Sequence, residues 1–242
     1  DVIFHKNDYT NSFMSIVEGE VDVEIDTGKF ITLGRGQFFG EMSLLSGRRR
    51  SATVRASTDC VVLETPRREM IKLMNSYEPV RKVIDQHFII RTLRADLVPD
   101  APQGELEAVA ETAELVSFRA GEVLFREGDQ ADGLHLIRNG SVSVSRHIGD
   151  RDIVTTYVAA GNYVGEMGLM LDTVRSATVR AAVPTEAIVL LARAVTDVLA
   201  GNTSLRGELD DQFQARLQAN QAMAANVQSG NLISFLLQQG VG

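Results

Sequence analysis

The sequence predicts a mainly β protein with flanking α-helices, built as two tandem β-barrels or jelly rolls (double-stranded β-helices). The strongest sign is an internal repeat, because residues 40–56 and 165–181 are identical at 11 of 17 positions. A second sign is the alternation of apolar and polar residues in short runs such as 21–25 and 142–145, which is typical of half-buried strands. Glycine-rich turns between these runs are the third sign. Two copies of one small antiparallel unit explain all three observations.

The two copies differ by an insertion in the second copy and by the residues that precede the first matched strand. Their offset is 125 at residues 40–56 but 121 near the amino terminus, so the second copy has four extra residues between Gly140 and Gly165. We predict this insertion at a hairpin tip, where residues 26–29 become 147–152, since loop tips tolerate insertions. The first copy has no counterpart of residues 104–121, so its leading helix and first strand are expected to be missing. On this ground the first ligand site is expected to be the less secure of the two.

Prolines and apolar periodicity place the helices. Pro66 precedes a predicted helix over residues 67–75, and Pro79 opens a second helix that ends before Pro99. Further helices are predicted over residues 104–115, 192–200 and 203–228. The predicted division of the chain is a first domain at residues 1–98, a second domain at 99–228, and a tail or linker at 229–242.

The composition excludes several classes of protein. With 242 residues, 44% of them hydrophobic, the chain is neither disordered nor fibrous, and its single cysteine cannot form an intramolecular disulfide. The net charge of −8 and the lack of a long apolar run argue against binding to nucleic acid or to a membrane. The four histidines are scattered without metal-ligand spacing and are interpreted as incidental. A cytoplasmic protein without metal or cofactor is expected, cut from a longer chain because the sequence does not begin with Met.

Each copy carries a glutamate followed nine residues later by an arginine, Glu41 with Arg50 and Glu166 with Arg175. A carboxylate accepts a hydrogen bond from a sugar hydroxyl, and a guanidinium forms a fixed fork suited to a phosphate. Residues 42–45 and 167–170 lie between them and are predicted to form a short helical turn whose backbone N–H groups also favour an anion. A lone Arg near a Glu is usually a solvated ion pair, but repetition at one spacing favours binding. A nucleotide whose phosphate and ribose lie close together, such as a cyclic nucleotide, fits this set.

The pattern resembles the phosphate-binding cassette of the cyclic-nucleotide-binding domain family, which includes protein kinase A regulatory subunits, catabolite activator proteins and gated channels. The family form is Phe-Gly-Glu-apolar-small-Leu-Leu followed by Arg-small-Ala, and residues 39–45 with 50–52 match it fully. Residues 164–170 with 175–177 depart from it only in Val164 for Phe and Met170 for Leu. The resemblance implies that the glutamates hold the ribose hydroxyl, the arginines hold the cyclic phosphate, and the serine after each arginine contacts the phosphate or the base edge. The implied ligand-binding residues are Gly40, Glu41, Met42, Ser43, Arg50, Ser51 and Ala52 in the first site, and Gly165, Glu166, Met167, Gly168, Arg175, Ser176 and Ala177 in the second.

The resemblance also bears on the base of the ligand. Serine after the arginine is compatible in this family with cAMP and, less often, with cGMP, so cAMP is the expected ligand. The chain has no Trp, which excludes a tryptophan lid over the purine. Candidate lid residues from the closing helices are Tyr77, Phe88 and Phe213.

Two further arginines precede the cassette arginine of the first copy. Arg48 and Arg49 are replaced in the second copy by Thr173 and Val174. Because they do not recur, we expect them to form a solvated loop face rather than ligand contacts.

Three functional classes compete. The first is a regulatory module, in which closing helices repack on ligand binding and change contacts with an effector domain or partner protein outside this chain. The second is the ligand-binding part of a catabolite-activator-like transcription regulator, but residues 194–242 hold two Arg, no Lys and four acids, which does not match a recognition helix. The third is an enzyme, for which the sequence has no Ser/His/Asp, metal or P-loop arrangement. We predict a non-enzymatic sensor, bacterial by its composition and able to form a homodimer through its helices, with a nucleotide-independent interaction scaffold as the alternative.

Overall fold

A computed structural model describes residues 1–26, 28–170 and 173–201 of the chain. The amino-terminal part forms seven strands around one short helix and then two longer helices. In chain order these elements are β1 Val2–Phe4, β2 Phe13–Glu18, β3 Val21–Asp26, β4 Lys29–Leu33, β5 Phe38–Phe39, α1 Glu41–Ser46, β6 Thr53–Ala56, β7 Val61–Thr65, α2 Arg67–Ser76 and α3 Glu78–Asp96.

The following part repeats this order with a helix and a strand added in front. Its elements are α4 Gln103–Glu111, β8 Glu114–Phe118, β9 Val123–Phe125, β10 Gly133–Asn139, β11 Ser141–Ile148, β12 Arg151–Ala159, β13 Tyr163–Val164, α5 Glu166–Met170, β14 Thr178–Ala181, β15 Thr185–Leu191 and α6 Ala192–Gly201. None of the helices in the described ranges is long and apolar enough to cross a bilayer.

The strands of each part form two antiparallel sheets that enclose an apolar core. Sandwich 1 combines the sheets β1-β6-β3-β4 and β5-β2-β7, and sandwich 2 combines β13-β10-β15-β8 and β12-β11-β14-β9. Side chains from both sheets meet inside each sandwich, as Phe4 and Phe39 do in the first and Phe125 and Val164 in the second. The predicted mainly β architecture of two tandem jelly-roll units is confirmed. Strand β8 pairs with β15 in sandwich 2, so this sheet has four strands where the corresponding sheet of sandwich 1 has three among the described residues.

The four extra residues of the second copy lie in the β11–β12 hairpin, but not as a longer loop. His147 pairs with Asp152 and Ile148 with Arg151, so the chain turns as tightly as it does between β3 and β4. The prediction of an enlarged tip is wrong because the added residues continue both strands. A longer ladder satisfies the backbone hydrogen bonds that a longer loop would leave to water.

The helices begin and end close to where the prolines place them. Pro66 lies directly before α2, and Pro79 lies in the first turn of α3, where its missing N–H removes no helical hydrogen bond. The helix predicted over residues 104–115 ends earlier, at Glu111, because Glu114–Phe118 pairs with β15 as a strand. The helix predicted over residues 203–228 lies outside the described residues.

A third apolar core joins the helices to both short helices α1 and α5. It contains Leu44 and Leu45 of α1, Leu169 of α5, and Phe88 of α3, together with side chains of α2, α4 and α6. The two sandwiches therefore share one helical core while each keeps its own interior.

Candidate functional site

The short helices α1 and α5 each begin directly after a glycine in the left-handed backbone region. The φ angle is 89° at Gly40 and 94° at Gly165. A Cβ at Gly40 would lie 2.6 Å from Nη1 of Arg50, and a Cβ at Gly165 would collide with the guanidinium of Arg175. Glycine therefore allows both the turn and the close approach of the arginine, which agrees with the turn role predicted for these residues.

The Arg50 guanidinium lies in a buried cradle of hydroxyl groups, which we call site 1. Its side chain is 2% exposed. Nε donates to Oγ1 of Thr10 at 2.9 Å, Nη1 to Oγ of Ser43 at 2.9 Å, and Nη2 to Oγ of Ser12 at 3.2 Å. The Phe4 ring lies 4.0 Å from the guanidinium carbon, which adds a cation–π contact.

The positive charge at site 1 has no carboxylate beside it. Arg50 makes no ion pair with any residue that the structure describes, and its partners are neutral: three hydroxyls and, at 3.5 Å, the Gly40 carbonyl. Burial lowers the pKa of the Arg50 guanidinium, and more distant carboxylates, led by Glu64, oppose this shift. A buried cation without an anion is unfavourable, so the site is suited to an anionic ligand.

Arg175 lies in the corresponding place in the second copy, which we call site 2, but its charge is balanced. The side chain is 1% exposed, and Nη2 donates to Oδ1 of Asp132 at 2.6 Å and to the Gly133 carbonyl at 2.7 Å. Nη1 donates to the Gly165 carbonyl at 2.9 Å, and the Phe125 ring lies 4.1 Å from the guanidinium carbon. The Asp132 side chain is 79% exposed, so a ligand anion can reach and replace it.

The loops around the two arginines share one backbone pattern and can be compared position by position. The Arg50 N–H donates to the Asp8 carbonyl at 3.0 Å, and the Arg175 N–H donates to the Asp129 carbonyl at 2.8 Å. The offset of 121 in this loop and 125 in the cassette then aligns the remaining residues. In the second copy Ala131, Gly133 and Gly168 replace Thr10, Ser12 and Ser43, and Asp132 replaces Asn11.

Glu41 is completely buried at the start of α1 and is bound by an arginine from α3. Its Oε2 accepts a hydrogen bond from Nη1 of Arg91 at 2.5 Å, and Nη2 of Arg91 donates to the Phe38 carbonyl at 3.0 Å. Oε1 of Glu41 is buried and has no hydrogen-bond partner among the described residues. Such an acceptor can accept a hydrogen bond from a hydroxyl group of a ligand. Glu166, the equivalent residue, begins α5 and is half-buried.

A cavity of about 530 Å³ opens beside Arg50. Met42 and Ser51, both predicted as ligand-binding residues, line it, whereas Glu41 does not. Its volume lies in the range of small-molecule pockets, roughly 300–1,000 Å³. The other lining residues are Lys6, Asn7, Tyr9, Asn11, Ser46, Gly47, Arg48, Arg49 and Gly161. Arg48 and Arg49 are exposed, as predicted, and they line the same cavity as Arg50.

The remaining predicted residues lie around the two cassettes. Ala52 is half-buried after Ser51 in site 1. In site 2, Ser176 Oγ lies 3.6 Å from Met167 Sδ, and Ala177 is 9% exposed. A Cβ at Gly168 would lie 2.8 Å from the Ala131 Cβ, so a serine like that of site 1 does not fit there without movement.

Several residues of site 1 were not predicted from the sequence. Thr10 and Ser12 bind Arg50, and the 121-residue offset that aligns them with non-hydroxyl residues of the second copy was the available signal. Arg91 reaches Glu41 from 50 positions away along the chain, and no local motif marks it. Lys6 lines the cavity from the loop after β1.

The predicted lid residues have different outcomes. Phe88 is 0% exposed in the helical core, so its assignment as a lid is wrong because the ring has no freedom to cover a ligand. Tyr77 is 56% exposed at the end of α2 and stays a prediction. Phe213 lies outside the described residues.

One histidine is not incidental, although the described ranges contain no group of His, Cys, Asp and Glu that could hold a metal ion. His135 is 5% exposed, its ring lies 5.2 Å from that of Phe125, and its Nδ1 has no described partner. Burial, followed by the charge of Arg175, lowers the pKa of His135 to about 4. The ring is therefore neutral at physiological pH and forms part of the wall behind Arg175.

The two cassettes and their sandwiches match one family. The family described as "Cyclic nucleotide-binding domain" matches residues 1–77 and 115–202. The chain belongs to this family. The cassette resemblance seen in the sequence is thus confirmed at the level of the family, and both copies of the repeat are included in the match.

Two relatives of known type align with most of the chain. A cAMP-dependent protein kinase regulatory subunit of Eremothecium gossypii is 29% identical over 180 residues, which is 74% of this chain and 38% of the relative. A cGMP-dependent protein kinase of Plasmodium berghei is 28% identical over 207 residues, which is 84% of this chain and 23% of the relative. The chain therefore spans less than half the length of either relative, and both relatives are eukaryotic.

Solved structures with a similar arrangement are more distant in sequence. The regulatory domain of Toxoplasma gondii PKA, crystallised with cAMP, is 21% identical with a TM-score of 0.48, covering 89% of this chain and 82% of that chain. The sensor domain of the transcriptional regulator DNR from Pseudomonas aeruginosa is 22% identical with a TM-score of 0.48, covering 57% of this chain and 92% of that chain.

Proposed function

We propose that this chain is a non-enzymatic sensor module that binds a cyclic nucleotide at site 1 and at site 2. The observation that carries this proposal is the buried guanidinium of Arg50, which has hydroxyl partners and no carboxylate and lies beside a cavity of about 530 Å³. A phosphate would supply the missing negative charge through charge-assisted hydrogen bonds. Arg175 would bind a second phosphate in exchange for Asp132.

Glu41 supplies the second half of the proposed recognition. Its unpaired Oε1 accepts the ribose 2′-hydroxyl while Oε2 stays bound to Arg91. The carboxylate does not line the cavity, so ligand binding has to open a path to it and thereby shifts α1 or the Arg91 side chain. The proposal assigns the same role to Glu166 in site 2.

Helix α3 is the proposed carrier of the signal. Arg91 connects it to Glu41 in site 1, and Asp85, two turns earlier, accepts a hydrogen bond from Nε of Arg138 in sandwich 2 at 2.8 Å. Arg138 also donates to Glu186 at 2.7 Å. A ligand that changes the Glu41–Arg91 contact would therefore act on a helix that also binds the second sandwich, through Asp85 and Arg138. A switch of this kind requires that the ligand bind one arrangement of α3 more tightly than the other.

The proposed nucleotide is cAMP, and the proposed effector lies outside this chain. Ser51 lines the cavity next to Arg50, and the family uses serine there more often for cAMP than for cGMP. The Eremothecium relative is a cAMP-dependent regulatory subunit and the Plasmodium relative a cGMP-dependent kinase, which supports a protein kinase catalytic domain as the class of effector. A transcription regulator remains the second candidate if a DNA-binding segment belongs to the same protein.

Calorimetric titration with cAMP and with cGMP tests the proposal. Arg50→Ala and Arg175→Ala should each remove one of two binding events, weakening that site by about 10-fold to 150-fold, since a hydrogen bond to a charged group contributes about 1.5–3 kcal/mol. Arg55→Ala is the matched control, because Arg55 is an exposed arginine just after the cassette that pairs with Glu24. No heat with either nucleotide at millimolar concentration would overturn the proposal and leave an interaction scaffold.

A further inference from the structure

We propose that site 1 binds a cyclic dinucleotide, with one phosphodiester at Arg50 and the other at the cationic wall formed by Lys6, Arg48 and Arg49, whereas site 2 binds a cyclic mononucleotide. This inference rests on the proposed function of Arg50 and Glu41 and adds the class of ligand. The observation behind it is a difference in charge between two sites that otherwise share one backbone.

The cavity at site 1 has a strongly positive wall. Four of its lining side chains are cationic, those of Lys6, Arg48, Arg49 and Arg50, and none of its lining residues is acidic. None of these four forms an ion pair with another residue of the described part of the chain. A cyclic mononucleotide carries one negative charge, which Arg50 alone can match. The other three cations would then line the cavity with no anion to balance them.

Contacts hold the two additional arginines in place at the rim of the cavity. Nη1 of Arg48 donates to the Ala160 carbonyl at 3.2 Å, so the side chain bridges to sandwich 2. The guanidinium carbon of Arg49 lies 3.7 Å from the centre of the Tyr9 ring, in a cation–π contact. Gly161 closes the far side of the cavity, where a Cβ would lie 3.5 Å from Nη1 of Arg48. Side chains fixed in this way lose less conformational entropy when an anion binds.

The second copy shows what the same backbone looks like without this wall. At the positions of Lys6, Asn11, Arg48 and Arg49 it has Glu127, Asp132, Thr173 and Val174. Three cationic side chains and an amide are replaced by two acidic and two neutral side chains. The acidic groups would repel a second phosphate at site 2. Repulsion of this kind allows a site to discriminate between ligands with one and with two phosphates.

A cyclic dinucleotide satisfies both the cassette and the wall. It keeps a phosphodiester next to a free ribose 2′-hydroxyl, which are the groups that Arg50 and Glu41 are placed to bind. It adds a second phosphodiester across its ring, which the wall can neutralise. A nucleoside triphosphate also carries several charges, but it has no phosphodiester beside the hydroxyl and matches only the wall.

The experiment uses the full chain carrying Arg175→Ala, so that site 1 alone binds. Cyclic di-AMP is titrated against cAMP, and cyclic di-GMP against cGMP, because each pair has one base and differs in the number of phosphates. ATP is the probe for charge alone. We expect each dinucleotide to bind at least about tenfold more tightly than its mononucleotide, and also more tightly than ATP, with a preference that falls as salt is added.

Two sets of variants test the residues assigned to the wall. Arg48→Thr with Arg49→Val gives site 1 the residues of site 2 at these two positions and should remove most of the preference for the dinucleotide while cAMP still binds. In the reverse direction, Glu127→Lys, Thr173→Arg and Val174→Arg are introduced together in a protein carrying Arg50→Ala, and should give site 2 a preference for the dinucleotide. This second set tests the inference even if loss of the Arg48 contact unfolds the first.

The outcomes separate the two proposals. If cAMP or cGMP binds and the dinucleotide has no advantage, or if the advantage survives Arg48→Thr with Arg49→Val, this inference is wrong and the proposed function stands. If ATP binds most tightly, the wall recognises polyphosphate and the assignment to a cyclic dinucleotide is wrong. If no cyclic nucleotide of either kind binds, the proposed function itself has failed.

Discussion

At site 1 the buried arginine is surrounded by three hydroxyl groups, whereas at site 2 the equivalent arginine is paired with the carboxylate of Asp132. Both guanidiniums are almost completely buried, and both lie over a phenylalanine ring. Thr10 and Ser12 lie in the loop between β1 and β2, and Asp132 lies in the corresponding loop between β9 and β10, where the two copies have diverged. The third hydroxyl at site 1, that of Ser43, belongs to α1. One protein thus contains the same cation in an unbalanced and in a balanced environment.

The difference shows that a repeated motif does not guarantee equal sites. Residues 40–56 and 165–181 are identical at 11 of 17 positions, yet the charge around each arginine is decided by residues 35 to 45 positions upstream of it. From the sequence, site 1 was expected to be the less secure because its leading helix is missing. For an anionic ligand we predict the opposite ranking, because Arg50 has no ion-paired carboxylate that the ligand must displace.

The largest expected effect comes from adding a methyl group at Gly40. Gly40→Ala should lower the free energy of unfolding by about 2–3 kcal/mol and weaken ligand binding at site 1, because the residue has a φ of 89° and its Cβ would lie 2.6 Å from the Arg50 guanidinium. Urea denaturation and calorimetric titration measure the two effects.

Gly36→Ala is the matched control for that substitution. Gly36 has a φ of 84°, but no atom lies within 4 Å of its added Cβ. We expect about 1 kcal/mol of destabilisation from the backbone alone and unchanged binding. Equal loss of binding in both variants would show that the contact with Arg50 is unimportant.

Exchanging Asn11 and Asp132 between the sites should reverse their ranking. Asn11→Asp places a carboxylate beside Arg50 and should weaken cyclic-nucleotide binding at site 1 by about tenfold, while Asp132→Asn should strengthen site 2 by about threefold to tenfold. The smaller second estimate reflects the 79% exposure of the Asp132 side chain, where solvent weakens the ion pair. Titrations of proteins with the other site removed measure each affinity.

A change of net charge alone should not have this effect. Glu114→Gln removes one negative charge from an exposed position on β8, outside the cassette. It should leave site 2 unchanged. If it strengthens binding as much as Asp132→Asn does, long-range charge and not the ion pair controls the affinity.

The smallest expected effect is the pH dependence of stability that His135 contributes in sandwich 2. The pKa of His135 is lowered from 6.5 to about 4, so its neutral burial stabilises the fold fully above pH 6.5, and this contribution decreases as the pH falls toward 4. Between about pH 7.5 and about pH 5.5 we expect a loss of about 1 kcal/mol in the free energy of unfolding. Urea denaturation followed at both pH values checks this.

His135→Met provides the comparison within the molecule, since Met14 occupies the equivalent position in sandwich 1. The variant should lose this part of the pH dependence. An unchanged pH profile in the variant would assign the effect to another group, such as His87, whose pKa is also lowered by burial.

The sequence was sufficient for the architecture because periodicity and proline act locally. Alternating residues gave the strands, and Pro66 and Pro79 gave the starts of α2 and α3. The sequence was less informative where pairing with a distant strand determines the secondary structure. Residues 112–115 continue a helical pattern, but Glu114–Phe118 forms a strand because it pairs with β15. The position of the extra hairpin residues was predicted correctly, but they form strand and not loop. Their pairing could not be predicted from one strand, because its stabilisation depends on the residues of both strands.

The site shows the same division between local and distant information. The cassette residues were predicted from a motif of adjacent residues. In the structure the glycines and glutamates lie at the starts of α1 and α5, and the arginines contact the glycines. Arg91 comes from a helix 50 residues away, and its contact with Glu41 depends on how α3 lies against sandwich 1. The division into domains at residues 1–98 and 99–228, the bacterial origin and homodimerisation stay predictions.

The contact of Arg48 with the Ala160 carbonyl has a consequence for how this duplicated protein can be divided. A fragment that ends after α3 would retain every cation of site 1 but lose Gly161, which lines the far side of the cavity, and the Ala160 carbonyl that binds Arg48. Its cavity would then be an open groove, and Arg48 would no longer be anchored. The shape of the cavity in the first copy therefore depends on the presence of the second.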